Sequence, residues 1–409
     1  MHRETLVNLP DSLVRESESK ILYYILDGLG GTTDPARGQT ELQAAATPAF
    51  DQLAATGETG LMVVVLPGIT PGSGPGHFAL FGYDPVENNV GRGVLEAAGI
   101  DFPLLDGDIA IRVNFASVDP DGKIIDRRAG RIPTEECERL CAIVAEAVDL
   151  GDVEVFVRPV KEHRAAIILR SGEGKLFDGI ADTDPQQTGV PALQPVAEQS
   201  AAEDTARLLK QMLDQVCGPL AQAGTPAYFP LLRGIALHRS YPGLNERFGL
   251  KSLAVATYPM YKGISRLLGM DVHEGAADLE DQLSAVKEAW NSYDFFFVHI
   301  KAPDACGEDG DFDAKVTAIE EADRALSGFL DLNPDVVVVT GDHSTPALMK
   351  SHSGHSVPLI LASQVARHSG MDHFDEISCA RFGTLGTFPA RQLMGLALGH
   401  AGRLHKFGA

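Results

Sequence analysis

The sequence has 409 residues, a formal net charge of −22 and a hydrophobic content of 44%. That acidity excludes a nucleic-acid footprint and docking on an anionic membrane, since both need basic surface. The apolar fraction supports packed cores rather than disorder, and the length predicts two domains.

In chain order, the opening MHRETLVNLPDSLVRESESK holds no apolar leader segment. No run approaches the ~18–20 apolar residues of a membrane span. A cytoplasmic protein is expected. Apolar runs at 21–26 (ILYYIL), 61–66 (LMVVVL), 294–300 (DFFFVHI), 335–340 (DVVVVT) and 357–363 (VPLILAS) are short and rich in β-branched or aromatic residues. They predict strands. Their continuous apolarity predicts a sheet covered on both faces, hence mostly parallel. Helical patterns near 47–56, 276–290 and 313–330 alternate with them, which predicts an α/β domain.

The middle of the chain differs. Residues 108–118, 153–160 and 164–170 read as half-exposed strands, with helices near 134–149 and 202–217. This predicts a smaller α+β domain, 111–249, inserted into a discontinuous one, 1–110 and 250–409. The Pro- and Gly-rich stretch 178–195 is expected along the domain surface or an interface. Five cysteines, at 137, 141, 217, 306 and 379, form neither a disulfide framework nor a CxxC pattern. Cys137 and Cys141, four apart on a predicted helix, are expected to pack.

Acids collect at strand ends. Asp27 closes ILYYILD. Asp304 follows DFFFVHI, and Asp342 and His343 follow DVVVVT. Ligands of open α/β sheets bind beyond the carboxyl ends of the strands. A single aspartate there would be an ordinary helix cap. Three, with His343 and His352 in TGDHSTPALMKSHSGHS, point to ligands or catalysis. Ser73 lies in the glycine-rich PGITPGSGPGHFALFGYDP, ahead of a predicted helix whose N-terminus suits phosphate. Pro71 and Pro75 break the G-x-S-x-G hydrolase pattern, so no Ser–His–Asp triad is predicted. A serine needs a base or a metal to ionise. Two divalent ions ~3.5–4 Å apart would also stabilise an in-line phosphoryl transfer. Mixed Asp and His ligands suit Mn²⁺ or Zn²⁺. Cations for an anionic substrate are available in Arg92, Arg112, Arg127, Arg128, Arg131, His163, Arg164 and Lys262, the guanidinium fork being suited to carboxylate and phosphate.

Together, DGLGG, PGITPGSGPGHFALFGYDP, GRG, NFASVDPDGKIIDRRAGR, DTDP, KGISRLLGM, IKAPDACGEDGDFDAK and TGDHSTP resemble the archaeal-type, cofactor-independent phosphoglycerate mutases of the alkaline phosphatase superfamily, over nearly the whole chain. The resemblance implies an alkaline-phosphatase-like α/β core with an inserted substrate-holding domain. It implies interconversion of 3-phosphoglycerate and 2-phosphoglycerate, an isomerase step of glycolysis and gluconeogenesis, through a phosphoserine on Ser73 and without bisphosphoglycerate. It also implies two divalent metals, Mn²⁺ foremost, with Mg²⁺, Zn²⁺ or Co²⁺ as alternatives. Asp27, Ser73, Asp342 and His343 would surround one; Asp304, residue 308 and His352 the other. The basic residues would retain the glycerate.

The sequence departs from the family at three places. Glu308 stands where His is common, and His355 where Asp is common; the pair could be an exchange, with His355 supplying the nitrogen. Gly74 stands where relatives often carry an acid. Two other readings stay open: a related metal-dependent phosphotransferase or phosphatase acting on another small alcohol such as homoserine, and a non-enzymatic metal-binding protein with a decayed site. A small phosphorylated substrate is the expected partner, and oligomerisation is left open.

Overall fold

The computed structural model describes residues 11–172 and 175–408. The first ten residues, part of the stretch without a leader pattern, lie outside them. Among the described residues the first strands are β1 (Ile21–Leu26) and β2 (Glu58–Val63). Then come β3 (Ile109–Val118), β4 (Ile124–Asp126), β5 (Glu154–Lys161), β6 (Arg164–Arg170) and β7 (Ala227–Leu237). The remainder are β8 (Ser252–Ala256), β9 (Asp271–Val272), β10 (Phe295–Ile300), β11 (Val336–Thr340), β12 (Val357–Ser363) and β13 (Gly386–Pro389). The chain forms two compact units, one of residues up to Asn89 and from Pro242 onward, the other Val90–Tyr241.

The first unit holds an eight-stranded sheet in the order β13-β2-β12-β11-β1-β10-β8-β9. It is parallel except for β12, which runs against both neighbours. Every residue of β1, β10 and β11 is buried, as continuous apolar runs require. On one face Tyr24, Phe296 and Val337 join Phe50, Ile319 and Phe329 in a single core. On the other, Phe81 meets the edges of Phe295 and Phe297. The register pairs Ile25 with both His299 and Thr340. Asp27, Lys301 and Gly341 therefore leave the sheet at nearly one level.

One strand is displaced from the sequence expectation. β2 spans 58–63 rather than 61–66, because its partner β12 begins at Val357, opposite Met62. Val63 still pairs with Pro389 of β13; after it the chain leaves the sheet, and the Leu66 carbonyl accepts from the Ile69 N–H at 3.0 Å in a turn. The helix Ser73–Leu80 then approaches the end of β11 closely. A Cβ on Gly76 would lie 2.5 Å from the Asp342 carbonyl oxygen, so only glycine fits there.

The second unit is an antiparallel sheet in which β3 pairs with β4, β6 and β7, and β5 with β6. Helices Thr134–Ala147 and Glu203–Gln222 cover it. Cys137 and Cys141 pack into this core as expected. β7 was not anticipated, since Pro230 and Gly234 interrupt its apolar pattern. Gly234 (φ +55°) sits in a bulge where the β3–β7 register shifts between Ala110 and Arg112. Stretch 178–195 is mostly exposed or half-buried and is anchored at Thr183. Thr183 is fully buried, and its N–H and hydroxyl bond the backbone of Leu232 at 2.9 and 2.8 Å.

Among the described residues no helix is long and apolar enough to cross a membrane. Phe296, central in β10 and fully buried, stacks on Trp290 with ring centroids 4.8 Å apart. Phe296→Ala should cost about 3–5 kcal/mol, read as a lower urea midpoint at unchanged m-value.

Candidate active site

Beyond the carboxyl ends of β1, β10 and β11, three carboxylates converge in the first unit: Asp27, Asp304 and Asp342, all fully buried. They form two groups able to hold a cation, Asp27–Asp342–His343 and Asp304–His343–His352. His343 lies at the centre. Its Nε2 is 3.3 Å from Asp27 Oδ1, 3.2 Å from Asp342 Oδ2 and 3.3 Å from Ser73 Oγ. Ser73 opens its helix, so the helix dipole favours negative charge at its hydroxyl.

The proton positions follow from the partners. Thr345 Oγ1 donates its only proton to Asp304 Oδ1 at 2.6 Å, so it accepts from His343 Nδ1–H at 3.0 Å. Burial, with Lys301, His77 and His352 nearby, holds the His343 imidazole well below its ordinary range despite Asp27. It is therefore neutral, with a bare lone pair on Nε2. His352 is likewise oriented through its Nδ1. Its Nδ1–H donates to the Pro71 carbonyl at 2.9 Å. Its Nε2 is left facing Asp304 Oδ1 at 3.5 Å and Glu308 Oε1 at 3.7 Å. The two imidazoles stack, centroids 3.6 Å apart.

Lone pairs pointing at carboxylate oxygens repel unless a cation lies among them. Asp27 Oδ1 and Asp342 Oδ2 are buried with no hydrogen-bond partner. Burial, then Asp27 and Asp304, push the Asp342 carboxyl well above its ordinary range. Ionising all three acids needs more positive charge than Lys301 brings. Lys301 Nζ bonds Asp304 and lies 3.1 Å from Asp27 Oδ2. These residues fit divalent cations.

Several residues of the site escaped the sequence reading. The Tyr261 hydroxyl bonds Asp27 and lies 3.4 Å from Ser73 Oγ and 3.2 Å from Lys301 Nζ. His77 Nδ1 bonds the Ser73 carbonyl at 2.7 Å and is 3.3 Å from Asp342 Oδ2. Burial pushes its imidazole down to about 3, so it too is neutral. Lys301 occupies the strand-end position that flagged Asp27, and could have been found the same way. Tyr261 and His77 carried no signal beyond lying inside segments already singled out. Of the residues expected at the metals, Glu308 is exposed and lies outside the second group, reaching only His352 Nε2 at 3.7 Å, and His355 is also outside it. The His355 ring bonds Ser353 Oγ at 2.9 Å instead.

The basic residues divide. Lys262, in the first unit, is already matched by Glu274 at 2.9 Å. In the second unit, Arg112 and Arg164 flank Glu96 at 3.9 and 3.6 Å. Burial, with Arg164, Arg233 and Arg92 around it, lowers the pKa of Arg112, while Arg233 itself lies 3.8 Å from Asp182 and 3.5 Å from Asp184. Arg233 was missed because it lies on the unanticipated β7. Arg127 is committed to Asp184 by two bonds of 2.8 and 2.7 Å. Arg128 and Arg131 are exposed. Burial and Arg164 push the His163 imidazole down to about 4, so it adds no charge at neutral pH.

A helix-borne serine facing paired acid and histidine groups at the carboxyl edge of such a sheet defines the alkaline phosphatase superfamily. The sequence profile of "2,3-bisphosphoglycerate-independent phosphoglycerate mutase" matches residues 54–223. A Thermus thermophilus protein called "Probable 2,3-bisphosphoglycerate-independent phosphoglycerate mutase" is 47% identical over 401 residues, 97% of this chain and 98% of that one. A protein of the same name from Aquifex aeolicus is 46% identical over 97% of this chain and 98% of its own. Among solved structures, a Pyrococcus horikoshii protein matches with a TM-score of 0.81 at 27% identity, covering 96% of this chain and 99% of that one. The cofactor-independent phosphoglycerate mutase of Thermoplasma acidophilum matches at 0.69 and 29% identity, covering 94% and 100%. The chain belongs to the 2,3-bisphosphoglycerate-independent phosphoglycerate mutase family. It is an isomerase that interconverts 3- and 2-phosphoglycerate. The readings as a phosphatase, a homoserine-type phosphotransferase or a decayed site are set aside.

The His163 shift has a consequence for stability. Folded, this imidazole stays neutral down to about 4, whereas its ordinary value is 6.5. Between these values the unfolded chain binds more protons, so stability present above pH 6.5 is lost as pH falls towards 4. His163→Gln should flatten the acid side of a plot of melting temperature against pH. Slopes identical to wild type would contradict the assignment.

Proposed function

We propose that the phosphoryl group passes through Ser73, in a centre where Asp27, Ser73, Asp342 and His343 hold one divalent cation and Asp304, Glu308 and His352 the other. The observation that carries this reading is the pair of imidazoles whose Nδ1 atoms are tied elsewhere, which turns both Nε2 atoms towards buried carboxylates beside the serine. Oxygen donors outnumber nitrogen in both sets, which favours Mn²⁺ over Zn²⁺. Glu308 rather than His355 completes the second set. When bound, the cations lower the pKa of the serine hydroxyl and stabilise charge on the transferring phosphoryl group.

The chain's own groups supply the rest. Ser73 Oγ gives up its proton and attacks phosphorus, the bond to the C3 oxygen breaks, and that oxygen takes up one proton in exchange. The glycerate stays bound while its C2 hydroxyl attacks the phosphoserine and loses a proton, restoring Ser73 and giving 2-phosphoglycerate. Tyr261, whose hydroxyl gives its proton to Asp27 and lies 3.4 Å from Ser73 Oγ, and Lys301, 3.1 Å from Asp27 Oδ2, hold the Asp27 carboxylate in place beside the serine. Arg92, Arg112, Arg164 and Arg233 are assigned to the anionic substrate on guanidinium chemistry. Arg128, Arg131, His163 and Lys262 stay as further contacts, and Arg127 acts by holding Asp184.

With Mn²⁺, 3-phosphoglycerate and enolase as the coupling enzyme, the protein should form product without added bisphosphoglycerate. Ser73→Ala should lower kcat by at least about 1,000-fold, and retention of most activity would exclude the phosphoserine route. Chelation should bring the rate to background, and Mn²⁺ should restore it. A rate indifferent to chelator would exclude the metal centre.

A further inference from the structure

Lys315 lies on helix Phe312–Leu330 and is fully buried. A buried ammonium needs acceptors for all three of its protons. Here all three are backbone carbonyls: Gly28 at 2.9 Å, Gly30 at 3.1 Å and Thr345 at 2.8 Å. None belongs to a substrate-facing side chain, so Lys315 acts through the segments it holds.

Those segments are the ones that carry the site. Gly28 and Gly30 form the turn after β1, directly following Asp27. Thr345 lies in the loop after β11, two residues beyond His343. The helix bearing Lys315 follows Ala302–Asp309, which bears Asp304 and Glu308, after a break at Gly310. Thr345 is also the residue whose hydroxyl bridges Asp304 and His343. Its carbonyl is fixed by Lys315, and its N–H bonds the Gly30 carbonyl at 3.0 Å. Glu41, Glu376 and Asp304 balance the buried charge at longer range.

We propose that Lys315 is a positioning residue for the metal centre: its ammonium clamps the turn after β1 to the loop after β11. The clamp keeps Asp27 facing His343 Nε2 and holds the Thr345 hydroxyl between Asp304 and His343 Nδ1. This inference rests on the two-cation reading above. Without the clamp, the two loops lose their shared anchor and the imidazole loses its fixed orientation. Partners that orient metal ligands in this way typically contribute about 10- to 100-fold to metal affinity.

The test is Mn²⁺ titration by calorimetry on wild type and Lys315→Met, which keeps the length and removes the donors. Wild type should bind two Mn²⁺. The variant should bind about 10- to 100-fold more weakly. Its Mn²⁺-induced rise in melting temperature should shrink accordingly, because a merely structural role would lower metal-free and metal-loaded melting temperatures alike. At saturating Mn²⁺, kcat should fall while KM for 3-phosphoglycerate stays within about twofold, since loop geometry rather than substrate binding has changed. A folded variant that binds two Mn²⁺ with wild-type affinity overturns the clamp alone; a wild type that binds no Mn²⁺ overturns the metal reading and the clamp with it. Should Lys315→Met not fold, Thr345→Val decides. It keeps the shape and loses only the hydroxyl, so weaker Mn²⁺ binding supports the tie and unchanged binding overturns it.

Discussion

Thr345 has one hydroxyl proton, and Asp304 takes it. Everything at the centre of the site depends on that choice. With its proton committed, Thr345 can only accept from His343, which fixes the imidazole tautomer and turns its Nε2 towards Asp27, Asp342 and Ser73. The Pro71 carbonyl does the same for His352. A site assembled from acceptors is electrostatically unsatisfied by design, and such a site suits cations. The same low-dielectric burial that makes unpaired carboxylates costly is what makes bound cations effective at a developing phosphoryl charge.

The sheet makes this choice possible. Three parallel strands in matching register deliver Asp27, Lys301 and Gly341 to one edge, so ligands more than 300 residues apart in sequence become neighbours. Parallel strands end on the same side, and the loops after β1, β10 and β11 converge there without needing special sequences of their own. Two close approaches complete the geometry. Gly76 lets the Ser73 helix press against the Asp342 backbone, and Lys315 draws the loops after β1 and β11 to one ammonium.

The second unit shows a different economy of charge. An acidic chain gathers Arg92, Arg112, Arg164 and Arg233 near one another; Glu96 faces Arg112 and Arg164, Asp182 and Asp184 face Arg233, and burial with the neighbouring guanidiniums weakens Arg112's own hold on its proton. Such a concentration is uncomfortable without an anion, which is the property expected of a phosphate or carboxylate grip. Arg127 looks alike in sequence, yet it is occupied by Asp184 and serves the stretch 178–195. Position in the fold, not residue type, separates the two roles.

Much was legible in the sequence because the underlying signals are local. Apolar runs buried on both faces reveal themselves as β1, β10, β11 and β12, and the acids that follow β1, β10 and β11 mark the functional edge. Asp27, Asp304, Asp342 and His343 stand out that way, Ser73 by its glycine-rich turn and His352 by the run that follows Asp342. Tertiary structure alone decided which chain neighbours become site neighbours. His355 is three residues from His352 but bonds Ser353, while Tyr261 and Lys301, unflagged, reach Ser73 and Asp27. β7, broken by Pro230 and Gly234, brought in Arg233 unseen. The physical reason is that hydrophobic periodicity is read from neighbours along the chain. Proton placement, buried charge balance and backbone clamps such as that of Lys315 depend on atoms brought together only by folding.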